Sequence, residues 1–264
     1  RSIIPFNLTD INAKDESLFG KALIKLLEIT LGSFSRGNIF ELFSNEIFLV
    51  SNGLSIPEVT KYLNWIENLN IFRNYDAGNN DLYTWWQGFT RLKLGSIMEY
   101  NEDENFTNYK NIVPYSDIDT MDKKKLNKFI TICENLFEKL KIIKSAKKNG
   151  EFWSNYIKDL INDFLKIPED TDSELKAEDD VLHKILVSLD RLTLFDKISK
   201  KDNLLTVEYI IEFISSNLEN IDSAIGSYLT DGVTISSLMP LRPIPFKILY
   251  IVGLGEGEFP GIND

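Results

Sequence analysis

This chain is poor in the residues that carry chemistry. It has a single cysteine, Cys133, and a single histidine, His183. One cysteine excludes an internal disulfide, and one Cys with one His cannot make a zinc set of nitrogen and sulfur ligands. No GxxxxGK[ST] segment occurs, so nothing here would cradle ATP phosphates. No apolar run approaches the roughly 20 residues of a membrane span, and no signal peptide is expected from the first residues given. Cationic excess is missing too: 29 basic against 40 acidic residues give a net charge of −11. A free-standing nucleic-acid-binding domain usually carries a basic face. The acid is partly local, with seven Asp or Glu against Lys176 alone in Glu169–Asp180. Lysines gather at 123–125, 147–148 and 200–201. Solvated helix ends and loops account most simply for each of these clusters.

What is present suits a folded domain. The chain has 264 residues and 43% apolar content, enough for one large core or two modest ones. It begins at Arg1 without a methionine and stops four residues after Pro260, so both ends are expected to be cuts in a longer polypeptide. Cys133 falls in the apolar pattern Phe129, Ile130, Cys133, Leu136, Phe137 and reads as a small buried hydrophobe. A reducing cytoplasm fits that usage.

The middle of the chain reads as helical. Leu18, Ala22, Leu26 and Ile29 share one helical face, with Asp15 or Ser17 to cap it. Ser55-Ile56-Pro57-Glu58 is a capping box with proline in the first turn, opening a helix with apolar positions Ile56, Val59, Leu63 and Ile66. Thr84 caps a helix carrying Trp85, Phe89 and Leu92. Two longer helices use Leu126, Phe129, Ile130, Cys133, Phe137 and Leu140, then Trp153, Ile157, Leu160 and Phe164. Ser173–Ser199 and Thr206–Leu218 complete the set. Linkers are expected at 76–81, 100–119 and 166–172, and no internal repeat is found. Strand candidates are Ile3–Phe6 near one end, and Val233–Leu238 and Ile248–Val252 near the other. Ile248–Val252 is a continuous apolar run of the kind buried on both faces in a parallel sheet. Between the last two strands lies a loop spaced by Pro240, Pro243 and Pro245, which can join no ladder interior.

The stretch Gly232–Pro260, GVTISSLMPLRPIPFKILYIVGLGEGEFP, resembles motif V of the UvrD/RecB-like helicases: strand, loop, strand, glycine turn. Aligned without gaps, Met239 takes the motif's histidine position, Arg242 the lysine, Pro243 the glycine and Pro245 the glutamate. The frame is kept and its chemistry is lost. The loop LMPLRPIPF further resembles a segment of the exodeoxyribonuclease V gamma-subunit family. Thr84–Met98, TWWQGFTRLKLGSIM, is similar to a second segment of that family. Ile4–Leu49 follows the order of a third, with Ser33, Phe34 and Ser35 at its Ser-Arg-Phe position, although the proline usual after its acidic and leucine run is absent.

This resemblance implies a mainly α fold with a small β part: a helical 2B-like insertion subdomain on the edge of a RecA-like α/β 2A subdomain. Residues 1–8 and 226–264 would be edges of 2A, and 9–225 the insertion, so the two flanks should lie close in space. The implied role is non-catalytic. The segment would handle DNA and act as scaffold in the exodeoxyribonuclease V (RecBCD) helicase–nuclease complex, in double-strand break repair and homologous recombination. The partners implied are DNA and the RecB-like and RecD-like motor subunits. ATP and magnesium would be used by those partners, no cofactor is expected in this segment, and the setting is cytoplasmic. Two alternatives stay open: a fragment of an active ATP-dependent helicase or helicase–nuclease, and a helical protein-interaction module with no DNA role.

Candidate DNA contacts are Arg242 and Lys247 near the degenerate motif, and Trp85, Trp86 and Arg91. Tryptophan beside Arg91 and Lys93 is a mixture that stacks single-stranded bases, although Trp85, Phe89 and Leu92 also have helix-core spacing. Arg242 takes the motif lysine's place on a loop held by prolines, at a strand end where open α/β sheets bind ligands; a salt bridge to a neighbouring subdomain would use it equally well. Gly253-Leu-Gly255-Glu-Gly257 follows a strand as a dinucleotide fingerprint would, but its third glycine comes one residue early, and a tight turn is the better reading. A Ser–His–Asp triad through His183 can be drawn on paper, yet its helical surroundings favour a structural histidine. Asp179-Asp180 could hold magnesium but more simply complement a helix start. No metal site and no catalytic residue is expected.

Overall fold

The computed structural model describes residues 6–8, 12–75, 83–97, 112–167, 173–199, 204–221, 233–235 and 247–252. The chain divides into two compact units, 11–225 and a smaller one of 1–10 with 226–264.

In the smaller unit β1 (Phe6–Leu8) runs parallel to β2 (Val233–Ile235), with Phe6 opposite Val233 and Leu8 opposite Ile235. Parallel neighbours cannot be joined by a hairpin and need a crossover; here the crossover is the entire helical part of the chain. The first strand candidate, Ile3–Phe6, is thus displaced toward Phe6–Leu8, residues 3–5 lying outside the described set. The Ile248–Val252 expectation is corrected. Those residues form no strand, and all five are exposed, from 47% at Ile251 to 89% at Val252. An apolar run has the composition of a buried strand, but burial needs a layer on each face. Among the described residues nothing covers this one.

The larger unit is helical: α1 (Ala13–Glu16), α2 (Leu18–Glu28), α3 (Arg36–Phe43), α4 (Glu46–Ser51), α5 (Ile56–Asn68), α6 (Trp85–Gly95), α7 (Lys123–Ile143), α8 (Gly150–Phe164), α9 (Ser173–Ser199) and α10 (Val207–Glu219). α7 is its spine. Its apolar positions recur at three and four residues, and Leu126, Phe129, Ile130, Cys133, Leu136, Phe137, Leu140 and Ile143 are all buried. Phe129 stacks on Tyr62 of α5 at 4.5 Å between centroids and meets Phe43 of α3 and Phe89 of α6 edge-on. About two turns further, Phe137 touches Phe34, Trp85 and Tyr75. Each such side chain contributes about 1.5–3 kcal/mol through burial. Cys133 lies wholly buried in this face, and burial pushes its thiol far above the usual range, so it is an inert hydrophobe.

α8 buries Trp153, Ile157, Leu160 and Phe164 as its spacing predicts. It crosses α9 closely, since a Cβ on Gly150 would lie 2.4 Å from the Leu192 carbonyl oxygen. Asp196 of α9 accepts the Glu151 N–H at 2.7 Å, supplying a carboxylate to the first turn of α8, where the helix dipole favours it.

α2 is capped twice. The Ser17 hydroxyl accepts from Gly20 N–H at 2.9 Å and donates to Glu178 of α9 at 2.5 Å. The same carboxylate accepts from Leu18 N–H at 2.9 Å and Phe19 N–H at 3.0 Å. Glu178 is 5% exposed, so the acidic run is not solvated throughout: one of its members fills a helix N-terminus, an anion site by construction. Asp179 and Asp180 are exposed. Because α9 begins at Ser173, they lie past its first turn, and the helix-start role expected of them does not apply.

α5 ends in a Schellman motif. Asn70 takes φ +52°, its N–H donates to Glu67 C=O, and Ile71 N–H reaches back to Ile66 C=O, a geometry that asparagine tolerates better than most residues. The buried face of α5 is Val59, Tyr62, Trp65 and Ile66. Ile56 is 68% exposed; at the first helical position it precedes the contact with α7. Glu58 Oε2 accepts from the Ser55 N–H at 2.9 Å and its hydroxyl at 2.8 Å. The hydroxyl's hydrogen bond, offset in part by desolvation, holds the Glu58 carboxyl below its ordinary value. The linkage sign follows: the stabilisation is present above the ordinary glutamate range and is lost as pH falls through it toward the depressed value. Ser55→Ala should therefore cost about 0.5–2 kcal/mol at neutral pH and less below the Glu58 titration. Thermal unfolding at two pH values checks this, and an equal loss at both would place the effect elsewhere.

Candidate nucleic-acid interface

α6 carries most of the aromatic and basic residues singled out in the helical unit. Thr84 caps it, its hydroxyl accepting from Gln87 N–H at 3.3 Å. Trp85 is wholly buried and donates its indole N–H to the Phe34 carbonyl at 2.7 Å. Its ring has no exposed face for a base, so Trp85 is a core residue and not a DNA contact in this fold. Phe34, at the centre of the Ser33-Phe34-Ser35 turn, is held at φ +55°, a conformation that costs a non-glycine residue roughly 1–3 kcal/mol. The turn is fixed from both sides: Asn74, itself at φ +56°, donates its N–H to Ser33 C=O at 2.7 Å, and Trp85 N–H donates to Asn74 C=O at 2.8 Å. Two of the three sequence segments that resembled known ones thus meet in a single structural device.

The rest of α6 is equally committed. A Cβ on Gly88 would lie 1.7 Å from Ile71 Cδ1, and one on Gly95 would lie 1.8 Å from the Tyr115 carbonyl oxygen. Arg91 Nε donates to Val113 C=O at 3.0 Å, while its own carbonyl accepts from Tyr115 N–H at 3.0 Å; Arg91 is a clasp for residues 112–119. Lys93 pairs with Glu134 at 2.6 Å. Trp86 alone of the original helical candidates keeps a substantial surface, at 40% exposure. Lys247 is exposed in the smaller unit. Met239, Arg242, Pro243 and Pro245 lie outside the described residues, as do Gly253, Gly255 and Gly257.

The segments leading into α6 assemble a surface that was not singled out from sequence. Phe72 and Tyr83 are about half exposed, with ring centroids 5.9 Å apart. The Arg36 guanidinium sits 5.1 Å over the Phe72 ring. Arg73 is exposed next to Phe72. Lys144 sits 5.1 Å over the Phe34 ring, its ammonium donating to Gly32 C=O at 2.7 Å. The readable signal was the interleaving in Asn70–Tyr75, NIFRNY, and Tyr83–Trp86, YTWW, on either side of a linker.

The remaining candidates form no constellation among the described residues. His183 is exposed on α9 in a shallow groove with Lys184, Arg191 and Asn217. Ser188, in the same groove, donates its hydroxyl to Ile185 C=O at 2.7 Å. No cluster of three metal-ligating side chains occurs among the described residues, and no described helix is long and apolar enough to cross a membrane.

Comparison with known proteins places this architecture. A family model described as the RecBCD enzyme subunit RecC fourth domain matches residues 16–221, nearly the whole helical unit. The chain is 27% identical to the RecBCD enzyme subunit RecC of Buchnera aphidicola subsp. Baizongia pistaciae over 97% of its length. It is 22% identical to the Haemophilus influenzae subunit and 20% identical to that of Escherichia coli K12, again over 97% of the chain. In each case it spans 22% of the relative's own length. The match of residues 16–221 covers well over half of the sequence, and the chain belongs to the family of the RecC fourth domain.

Proposed function

We propose that this chain is a non-catalytic, DNA-handling and scaffolding segment of a RecBCD-type helicase–nuclease, acting in the cytoplasm in double-strand break repair and recombination. The observation that carries the reading is the family match over 16–221, which coincides with the compact helical unit 11–225. In this reading the helical unit is a 2B-like insertion, and residues 1–8 and 226–264 are edges of a RecA-like 2A subdomain. The parallel pairing of Phe6–Leu8 with Val233–Ile235 supports that arrangement, because it brings the two flanks of the insertion together. RecB-like and RecD-like motors would supply the ATP and magnesium chemistry. The outward stripe of α9, with Val187, Leu194, Phe195 and Ile198 exposed, gives subunit or domain docking an apolar surface.

The loop with Met239, Arg242, Pro243 and Pro245 separates this role from that of a motor. Pro243 fixes φ where a motor's glycine gives freedom, and Pro245 offers no carboxylate. One permanent cation, Arg242, is left, suited to a static phosphate contact or an interdomain pair. Arg242→Ala in the intact complex should weaken DNA binding and reduce the salt slope by about one unit if a phosphate is met. ATP turnover at saturating DNA should stay unchanged. Loss of turnover with DNA affinity intact would make this loop a working energy-coupling element and favour the active-helicase alternative.

A further inference from the structure

We infer that the corner built by Arg36, Phe72, Arg73 and Tyr83, with Trp86 and Lys144 on the segments that flank it, is a stacking site for single-stranded nucleic acid. The inference rests on the DNA-handling reading above and gives it a location. Phe72, Tyr83 and Trp86 are 47%, 49% and 40% exposed, an unusual outlay of aromatic surface beside so large an aromatic core. The platform is pre-organised. Phe72 C=O accepts from Arg36 N–H at 2.9 Å and its N–H donates to Tyr83 C=O at 3.0 Å. Behind it, the turn at Phe34 is locked by Trp85. Successive bases can stack on such rings whatever their sequence, with guanidinium and ammonium groups beside them for the backbone.

Charge favours a polyanion here despite the net −11 of the chain. Arg36 over Phe72, exposed Arg73 and Lys144 over Phe34 bring three cations to these segments, and Glu67 pairs loosely with Arg36 Nη2 at 3.9 Å, beyond hydrogen-bond distance, which leaves the cations in excess. The Arg36 side chain therefore keeps donors for a phosphate. A protein hot spot uses similar aromatic and arginine residues, so release of a partner subunit is the outcome that separates the two. Duplex DNA keeps its bases stacked inside and offers these rings nothing, so the site should discriminate for single strands.

The test uses the intact RecBCD-type complex with a thymidine oligonucleotide carrying 5-bromodeoxyuridine, irradiated and mapped by peptide mass spectrometry. A titration of the same single strand and of its duplex accompanies it. Cross-links to the peptides holding Phe72, Tyr83 or Trp86 are expected, and Phe72→Ala with Tyr83→Ala should lose about tenfold or more in single-strand affinity with duplex affinity unchanged. Should the double variant fail to fold, Arg73→Glu, at an exposed position, should produce the same selective loss. If single-strand binding survives both variants and the cross-links map elsewhere, the site is wrong while the DNA-handling reading stands. If the complex binds no DNA, both fall. If the variants instead release a partner subunit with DNA affinity intact, the corner is a protein interface and the inference is overturned.

Discussion

Trp85→Ala is expected to lower the unfolding free energy by about 3–5 kcal/mol, the usual cost of removing a buried tryptophan. The indole fills the space beside Phe137 and Phe89, and its N–H satisfies the Phe34 carbonyl. The variant loses both, and the turn at φ +55° loses the contact that offsets its strain. A fall in melting temperature of roughly 10 °C follows for a chain of this size. Trp85→Phe separates the terms: it keeps most of the packing but leaves the buried Phe34 carbonyl without its donor, a cost of about 1–3 kcal/mol. Equal losses in the two variants would show that packing contributes little and the hydrogen bond nearly everything, contrary to the cavity argument. An unchanged melting temperature in both would mean that the turn is held without Trp85.

Glu178→Ala is the second large effect. The substitution leaves the Ser17 hydroxyl and the Leu18 and Phe19 N–H groups at a buried helix start without their acceptor. Each unpaired buried group costs roughly 1–3 kcal/mol, so a total on the order of 3 kcal/mol or more is expected. Glu178→Gln keeps one acceptor oxygen at the same place and should lose less. Urea unfolding of the three proteins gives the order wild type, Gln, Ala in decreasing stability. The reverse order of the two variants would show that the negative charge harms this site. Asp179→Ala, one residue away and exposed, should change little and serves as the control.

These two residues mark where sequence reading reached and where it stopped. The buried face of α7 was legible because its apolar residues keep helical spacing over roughly five turns, and so was the cap Thr84, which precedes such a run; for α2 the choice stayed open between Asp15 and Ser17, and the structure uses Ser17. Glu178 was not legible. It looked like any member of an acidic stretch, because its partners lie 159 to 161 residues away and nothing local records them. Ile56 misled because periodicity says which residues share a face, not which end of that face reaches its neighbour. Ile248–Val252 misled for the related reason that an apolar run states an affinity for a core without supplying one. The aromatic corner was half visible: Trp86 was noticed through its neighbours in sequence, whereas Phe72 and Arg36 join Tyr83 only when the Schellman turn at Asn70 and the strained turn at Phe34 bring three segments together.

The segment is proposed to handle DNA without turning over nucleotide. The most direct measurement is made on the intact complex with the phosphate-binding loops of both motor subunits disabled by substitution of their lysines. ATP hydrolysis and forked-DNA binding are then followed together across a salt series. Hydrolysis at background is expected with forked DNA still bound, its affinity falling with salt as phosphate contacts require. Hydrolysis that persists in that complex and disappears with Arg242→Ala would contradict the proposal, and the segment would have to be read as part of a working motor.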